Sequence, residues 1–208
     1  MPLTSRDVWT KPTSEINRRS VLRGPGGLLD QLEDPRPQVR RWAVRDLSQF
    51  SEAVKPLLTC LQRENDPGVR ESIFTALLLI GNEKVARGVV ALLKSDDAGL
   101  RNGAFDMLME MPPFAGLVIP DLLADPDPLL RVYGVELVRR LQPPNTVEWL
   151  SAMINREDNE NVLASLIDCV AALSLNTLAN KVGSITSKSG FVNFAMQHAL
   201  ARLSMEKG

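Results

Sequence analysis

Side chains able to carry chemistry are sparse in this chain. His198 is its single histidine, and Cys60 and Cys169 are its two cysteines. A catalytic or structural metal needs several clustered His, Cys or carboxylate ligands, so neither a metal nor a cofactor is expected. A nucleophilic thiol needs a neighbouring base or cation. Both cysteines stand inside apolar helical patterns, which makes them buried free thiols, and no catalytic residue is assigned. Gly24-Pro25-Gly26-Gly27 leads into a helix but lacks the Lys-Ser/Thr sequel of a phosphate-cradling loop. Paired acids such as Asp106 and Glu136 have the chemistry for proton transfer, although ordinary groove charge accounts for them as well.

The elements that position these residues follow from a repeat. An aliphatic–Arg pair recurs as Val39-Arg40, Val69-Arg70, Leu100-Arg101 and Leu130-Arg131, and Val162 and Val192 continue the series. A fixed period of about 30 residues marks a stacked-unit architecture. With the aliphatic as position zero, position eight is Leu47, Leu77, Leu108, Val138, Val170 and Leu200. Positions zero, four, five and eight share one face of a 3.6-residue helix. This predicts a second (B) helix in each unit, near 38–50, 68–80, 99–110, 129–141, 161–173 and 190–205. Three residues before position zero stand Asp66, Asp97, Asp127, Asn159 and Ser189, all able to cap a first helical turn. Pro37, Pro67 and Pro128 occupy first helical positions, where proline loses no hydrogen bond. Shorter apolar segments upstream predict the first (A) helices, the weakest from Leu178 to Val182.

The segments Asp66-Pro67-Gly68-Val69-Arg70 and Asp125-Pro126-Asp127-Pro128-Leu129-Leu130-Arg131 resemble HEAT repeats. The short period resembles the HEAT-like class named after phycobilisome lyases. The resemblance is strong over 26–173 and weak over 174–205. It implies an all-α, right-handed α-solenoid of about six stacked helical hairpins spanning 25–208. Residues 1–24 fall outside the array as an arm, with five Lys/Arg against two Asp/Glu. Within it, Glu15 to Leu22 could form a short amphipathic capping helix.

Arg40, Arg70, Arg101 and Arg131 sit at position one, inside the apolar arc. An unpaired buried guanidinium is very costly, so each needs a carboxylate. The turn aspartates Asp66, Asp97 and Asp127 are the expected partners, forming an Asp–Arg ladder of the kind seen in HEAT-like repeats. Positions two, six, nine and ten fall opposite the core, and in HEAT-like folds such B-helix faces line the concave groove. They include Arg41 and Arg45 in a basic first unit, then Glu71, Asp106, Glu110, Glu136, Arg140 and Asp168 about an acidic centre, and Phe194 at a more apolar C-terminal end.

Formal net charge is −1, so no global field attracts nucleic acid or an anionic membrane. No stretch approaches the ~20 apolar residues of a bilayer span, and Met1 to Arg6 shows no apolar signal core. A cytoplasmic protein is expected. Solenoids present extended binding grooves, so the leading expectation is a non-enzymatic interaction scaffold or adaptor, whose protein partner presents basic residues to the acidic centre. The alternative implied by the resemblance is a bilin lyase or lyase-like chaperone. Arg139 and Arg140 would meet the bilin propionates, with Tyr133 and Glu136 beside the pyrroles, although aromatic residues are only 5% of the chain. A second alternative, a HEAT-type alkyl-base DNA glycosylase, requires a basic concave face. Di-iron HEAT-type hydroxylases require several His–Glu pairs and are excluded by the single histidine.

Overall fold

The computed structural model describes residues 24–205, so the N-terminal arm with its expected capping helix lies outside the described residues. These residues are α-helical with three short 3-10 turns and no strand. The chain divides into two compact units at Ile80.

In the first unit the helices are α1 (Pro25–Gln31), α2 (Pro37–Leu47), α3 (Val54–Arg63) and α4 (Pro67–Ile80). Helices α1 and α3 are the A elements, and α2 packs on α4 as the B layer. Leu47, Leu57, Leu61, Ile73 and Leu77 are fully buried between the layers. Helix α2 stops at Leu47, short of the residue-50 boundary read from the sequence. There the Ser48 hydroxyl donates to the Arg45 carbonyl and the Phe50 N–H to that of Leu47, which turns the chain into the next unit.

The second unit contains α5 (Glu83–Val90), α6 (Ala98–Glu110), α7 (Pro112–Leu123), α8 (Pro128–Leu141), α9 (Thr146–Ile154), α10 (Glu160–Ala172), α11 (Ala179–Gly183) and α12 (Gly190–Met205). Successive A helices α5, α7, α9 and α11 pack in one layer, and the B helices α6, α8, α10 and α12 in the other. This is the all-α, stacked-hairpin arrangement of an α-solenoid. Core positions of the repeat are solvent-free, among them Ala104, Leu108, Val138, Val162, Leu166 and Val170. Gly134 holds position four of α8 because the helix lies against α7: a Cβ there would meet Leu123 Cδ2 at 2.9 Å and Leu122 Cβ at 3.1 Å. No helix among the described residues is long and apolar enough to cross a membrane.

The turns before the B helices explain the period. Asp66 Oδ1 accepts from the Val69 N–H, Asp97 Oδ1 from Gly99 and Leu100, Asp127 Oδ1 from Leu129, and Asn159 Oδ1 from Asn161 and Val162. These side chains fill the orphan donors of each first turn.

At Arg40 and Arg131 the arginine row departs from the expected ladder. Arg40 is held by Glu64 in two bonds of 2.8 Å, and Arg131 by Glu157 in two bonds of 2.8 Å. The turn aspartates are not the acids met by these two arginines. Asp127 instead faces Lys94 at 3.5 Å. Glu64 and Glu157 stand five residues before position zero, where every unit carries an acceptor side chain: Asp34, Glu64, Ser95, Asp125, Glu157 and Ser187. Each accepts the backbone N–H two residues on. The carbonyl at this position accepts from the position-one side chain of its own unit, namely Arg40, Arg70, Arg101, Arg131 and, in the last unit, Asn193. The bidentate carboxylate is therefore a residue that also shapes the turn, and a glutamate has the reach for both tasks.

Candidate functional site

The B-helix residues proposed for the groove fall in both units. Glu71 lies on α4 of the first, and Asp106, Glu110, Glu136, Arg140, Asp168 and Phe194 lie in the second. All are exposed except Glu136, which is half-buried, because their positions oppose the buried stripe of each helix.

In the second unit the charges do not form one acidic strip. Glu136 is clasped by Arg139 in two bonds of 2.6 and 2.7 Å and by Arg140 at 2.8 Å. Burial pushes its carboxyl up, but hydrogen bonds from Arg139 and Arg140 outweigh this and bring it below the ordinary carboxylate range. The acidic centre is thus interrupted by a self-contained Arg–Glu–Arg cluster on α8. The i,i+3 and i,i+4 spacing that makes these contacts possible was available in the sequence. Tyr133 does not stand free on that helix either, since its ring packs against Phe105 of α6 with centroids 5.9 Å apart. The arginines suited to two propionates are therefore already occupied. On α6 and α10, Asp106, Glu110 and Asp168 remain exposed.

At the C-terminal end, Phe194 and His198 stack with centroids 6.3 Å apart. Together with Ala164, Asp168, Ala171 and Phe191 they line a shallow concavity of about 280 Å³, below the roughly 300–1,000 Å³ of ordinary ligand sites. His198 is a surface residue there.

In the first unit the groove faces of α2 and α4 enclose a larger cleft of about 460 Å³, lined by Arg41, Trp42, Arg45, Glu71, Thr75 and Leu79. Trp42 was not singled out in the sequence. Its signal was an aromatic residue at position three, which is outside the buried stripe, and it is 60% exposed.

Both cysteines are buried, and burial raises Cys60 and pushes Cys169 up to about 12. Among the described residues no group of His, Cys, Asp and Glu is placed to hold a metal ion.

Known proteins with related sequences include two relatives and a solved complex. The chain is 25% identical over 195 residues to an uncharacterized phycocyanin operon protein Z of Pseudanabaena tenuis, covering 86% of this chain and 95% of that protein. It is 33% identical over 89 residues to the bilin biosynthesis protein PecE of Mastigocladus laminosus, covering 38% of this chain and a third (33%) of that relative's length. Among solved structures, the CpcE–CpcF complex of phycocyanin lyase from Nostoc matches at 15% identity with a TM-score of 0.36, covering 98% of this chain and 99% of that one. The leading expectation of an interaction scaffold or adaptor is overturned by the two sequence relatives, which are named for a phycocyanin operon and for bilin biosynthesis. The family model of HEAT repeats matches residues 26–109, the stretch that begins with the first helical pairs of the stack.

Proposed function

We propose that this chain handles a bilin, as a bilin lyase or a lyase-like bilin chaperone. The observation that carries the reading is the 33% identity over 89 residues to a bilin biosynthesis protein. The match to a phycocyanin operon protein over 86% of the chain supports it. A bilin is a linear conjugated tetrapyrrole with two propionates and several N–H groups. Its binding requires cations, an apolar plane and an acceptor acid.

The buried, raised thiols of Cys60 and Cys169 argue for non-covalent holding. A thiol kept protonated and out of solvent does not add to a tetrapyrrole at neutral pH. In this reading the bilin passes through the protein and ends on another one, and any catalysis consists of holding and orienting the tetrapyrrole for that transfer. The partner is a protein with basic residues on its docked surface. The carboxylates left to meet it are Asp106, Glu110 and Asp168, since Glu136 is satisfied within its own helix.

The test is expression in bilin-producing cells followed by purification. The expected product is a coloured protein whose chromophore separates from the chain under denaturing conditions. The purified protein should then raise the rate of covalent bilin attachment to an apo-phycobiliprotein subunit (a lyase) or raise the yield without changing the rate (a chaperone). A colourless product with no effect on attachment would overturn the reading. Colour that stays on the chain after denaturation would overturn the non-covalent mode.

A further inference from the structure

Two arginines of the first unit have no ion-pair partner among the described residues. Arg41 and Arg45 lie one turn apart on α2, both exposed, and their guanidinium groups make no ion pair or hydrogen bond among the described residues. Elsewhere the protein binds its guanidinium groups up: Arg40 of the same helix on Glu64, Arg131 on Glu157, Arg139 and Arg140 on Glu136. Between the free pair sits Trp42, 60% exposed, and on the opposite wall Leu79 of α4 is 69% exposed. Arg41 reaches across to α4, where a Cβ on Gly68 would lie 3.5 Å from its Nη1. Glu71 of α4 is the single carboxylate lining the cleft, and it too makes no ion pair among the described residues.

We infer that this cleft between α2 and α4 is a binding site for a planar conjugated molecule that carries carboxylates and N–H donors. Each part of the lining selects one property of the ligand. Trp42 and Leu79 offer apolar area to a flat body, and an aromatic face stacks on such a plane. Arg41 and Arg45 offer two forks, each matched to a carboxylate. Glu71 repels phosphate-rich ligands such as nucleic acid and accepts a hydrogen bond from an N–H group. The volume of about 460 Å³ lies within the range of ordinary ligand sites, unlike the concavity on α12. Residues 1–24 are a poor occupant, since their five Lys/Arg against two Asp/Glu repeat the sign of the arginine pair.

A linear tetrapyrrole with two propionates has all three properties, and the naming of the ligand as a bilin rests on the function proposed above. The cations, plane and acid sought on α8 are thereby found in the first unit, with Arg41, Arg45, Trp42 and Glu71 in place of Arg139, Arg140, Tyr133 and Glu136.

The test titrates the full chain with biliverdin and, separately, with protoporphyrin IX, a planar dicarboxylate that is not a bilin. Tryptophan fluorescence quenching gives the affinity, and Trp42→Phe identifies the quenched residue. The expected result is saturable biliverdin binding that Arg41→Gln/Arg45→Gln weakens by about tenfold or more, since charged hydrogen bonds are lost, and that Glu71→Gln also weakens. Circular dichroism should remain unchanged because the substituted side chains are exposed. Binding that survives Arg41→Gln/Arg45→Gln but disappears in Arg139→Gln/Arg140→Gln would overturn the site while leaving the bilin reading intact. Arginine-dependent binding of protoporphyrin without biliverdin binding would sustain the site and remove the bilin. Binding of neither probe would overturn the site.

Discussion

Replacing Arg131 with alanine isolates the energetics of the repeat. Its side chain is 14% exposed and that of Glu157 only 3%. The guanidinium makes two bonds of 2.8 Å to Glu157 and donates to the carbonyls of Asp125 and Pro126 at 2.9 and 3.0 Å. Truncation leaves the Glu157 carboxylate buried with only the Asp158 and Asn159 N–H groups as donors. Breaking a buried pair on one side costs about 3–5 kcal/mol, and the residual exposure of Arg131 points to the lower part of that range. At about 2–4 °C per kcal/mol for a chain of this size, the thermal midpoint should fall by roughly 6–15 °C. Arg140→Ala removes one bond from a side chain that is 55% exposed and should cost at most about 1 kcal/mol. Arg101→Ala should fall between them, since its one side-chain hydrogen bond among the described residues goes to the Ser95 carbonyl. The pH dependence has a definite sign. Burial raises the Glu157 carboxyl, but the bond from Arg131 and the backbone N–H groups outweigh it, so it lies below its ordinary value of 4.5 in the folded protein. The pair therefore contributes fully above about pH 4.5 and loses its contribution as pH falls through the lower folded value. Urea titrations of wild type and the three variants at pH 7 and pH 3 measure both effects. Equal small losses for Arg131→Ala and Arg140→Ala, or an Arg131→Ala loss as large at pH 3 as at pH 7, would refute the assignment of Glu157 as the partner.

Three further outcomes follow from other parts of the fold. Gly134→Ala should destabilise by about 1–3 kcal/mol in the same titration, because its Cβ would meet Leu123 Cδ2 at 2.9 Å and the Leu123 backbone nitrogen at 3.2 Å. Gln142 ends α8 in the left-handed region with φ of 47°, so Gln142→Gly should raise stability by about 0.5–1 kcal/mol, measured by thermal unfolding. Hydrogen exchange should be faster over 174–190 than over 98–110, since α11 has only five residues and the buried Asn176 Oδ1 accepts no hydrogen bond. Equal protection of the two segments would count against that reading.

The local physics of the chain is legible without a structure. A period of about 30 residues, capping side chains at a fixed offset and apolar residues on one helical face determine an all-α stacked-hairpin fold, because all three act over a single turn or a single helix. The burial of Cys60 and Cys169 follows from the same periodicity. Charge partnership was not legible to the same degree. Arg40 and Arg131 were correctly placed among buried positions in need of a carboxylate, but their partners lie 24 and 26 residues away, and only the approach of neighbouring turns brings Glu64 and Glu157 rather than the turn aspartates into reach. Glu136 counted as free groove charge until the rotamers of Arg139 and Arg140 closed on it, a choice that sequence spacing permits but does not compel. Helical phase places Arg41, Arg45 and Glu71 on groove faces, but tertiary structure decides that they share one cleft with Trp42. Arg41, Trp42 and Arg45 lie within about one turn of one helix, and they line a cleft only where α4 sets Glu71 and Leu79 opposite them.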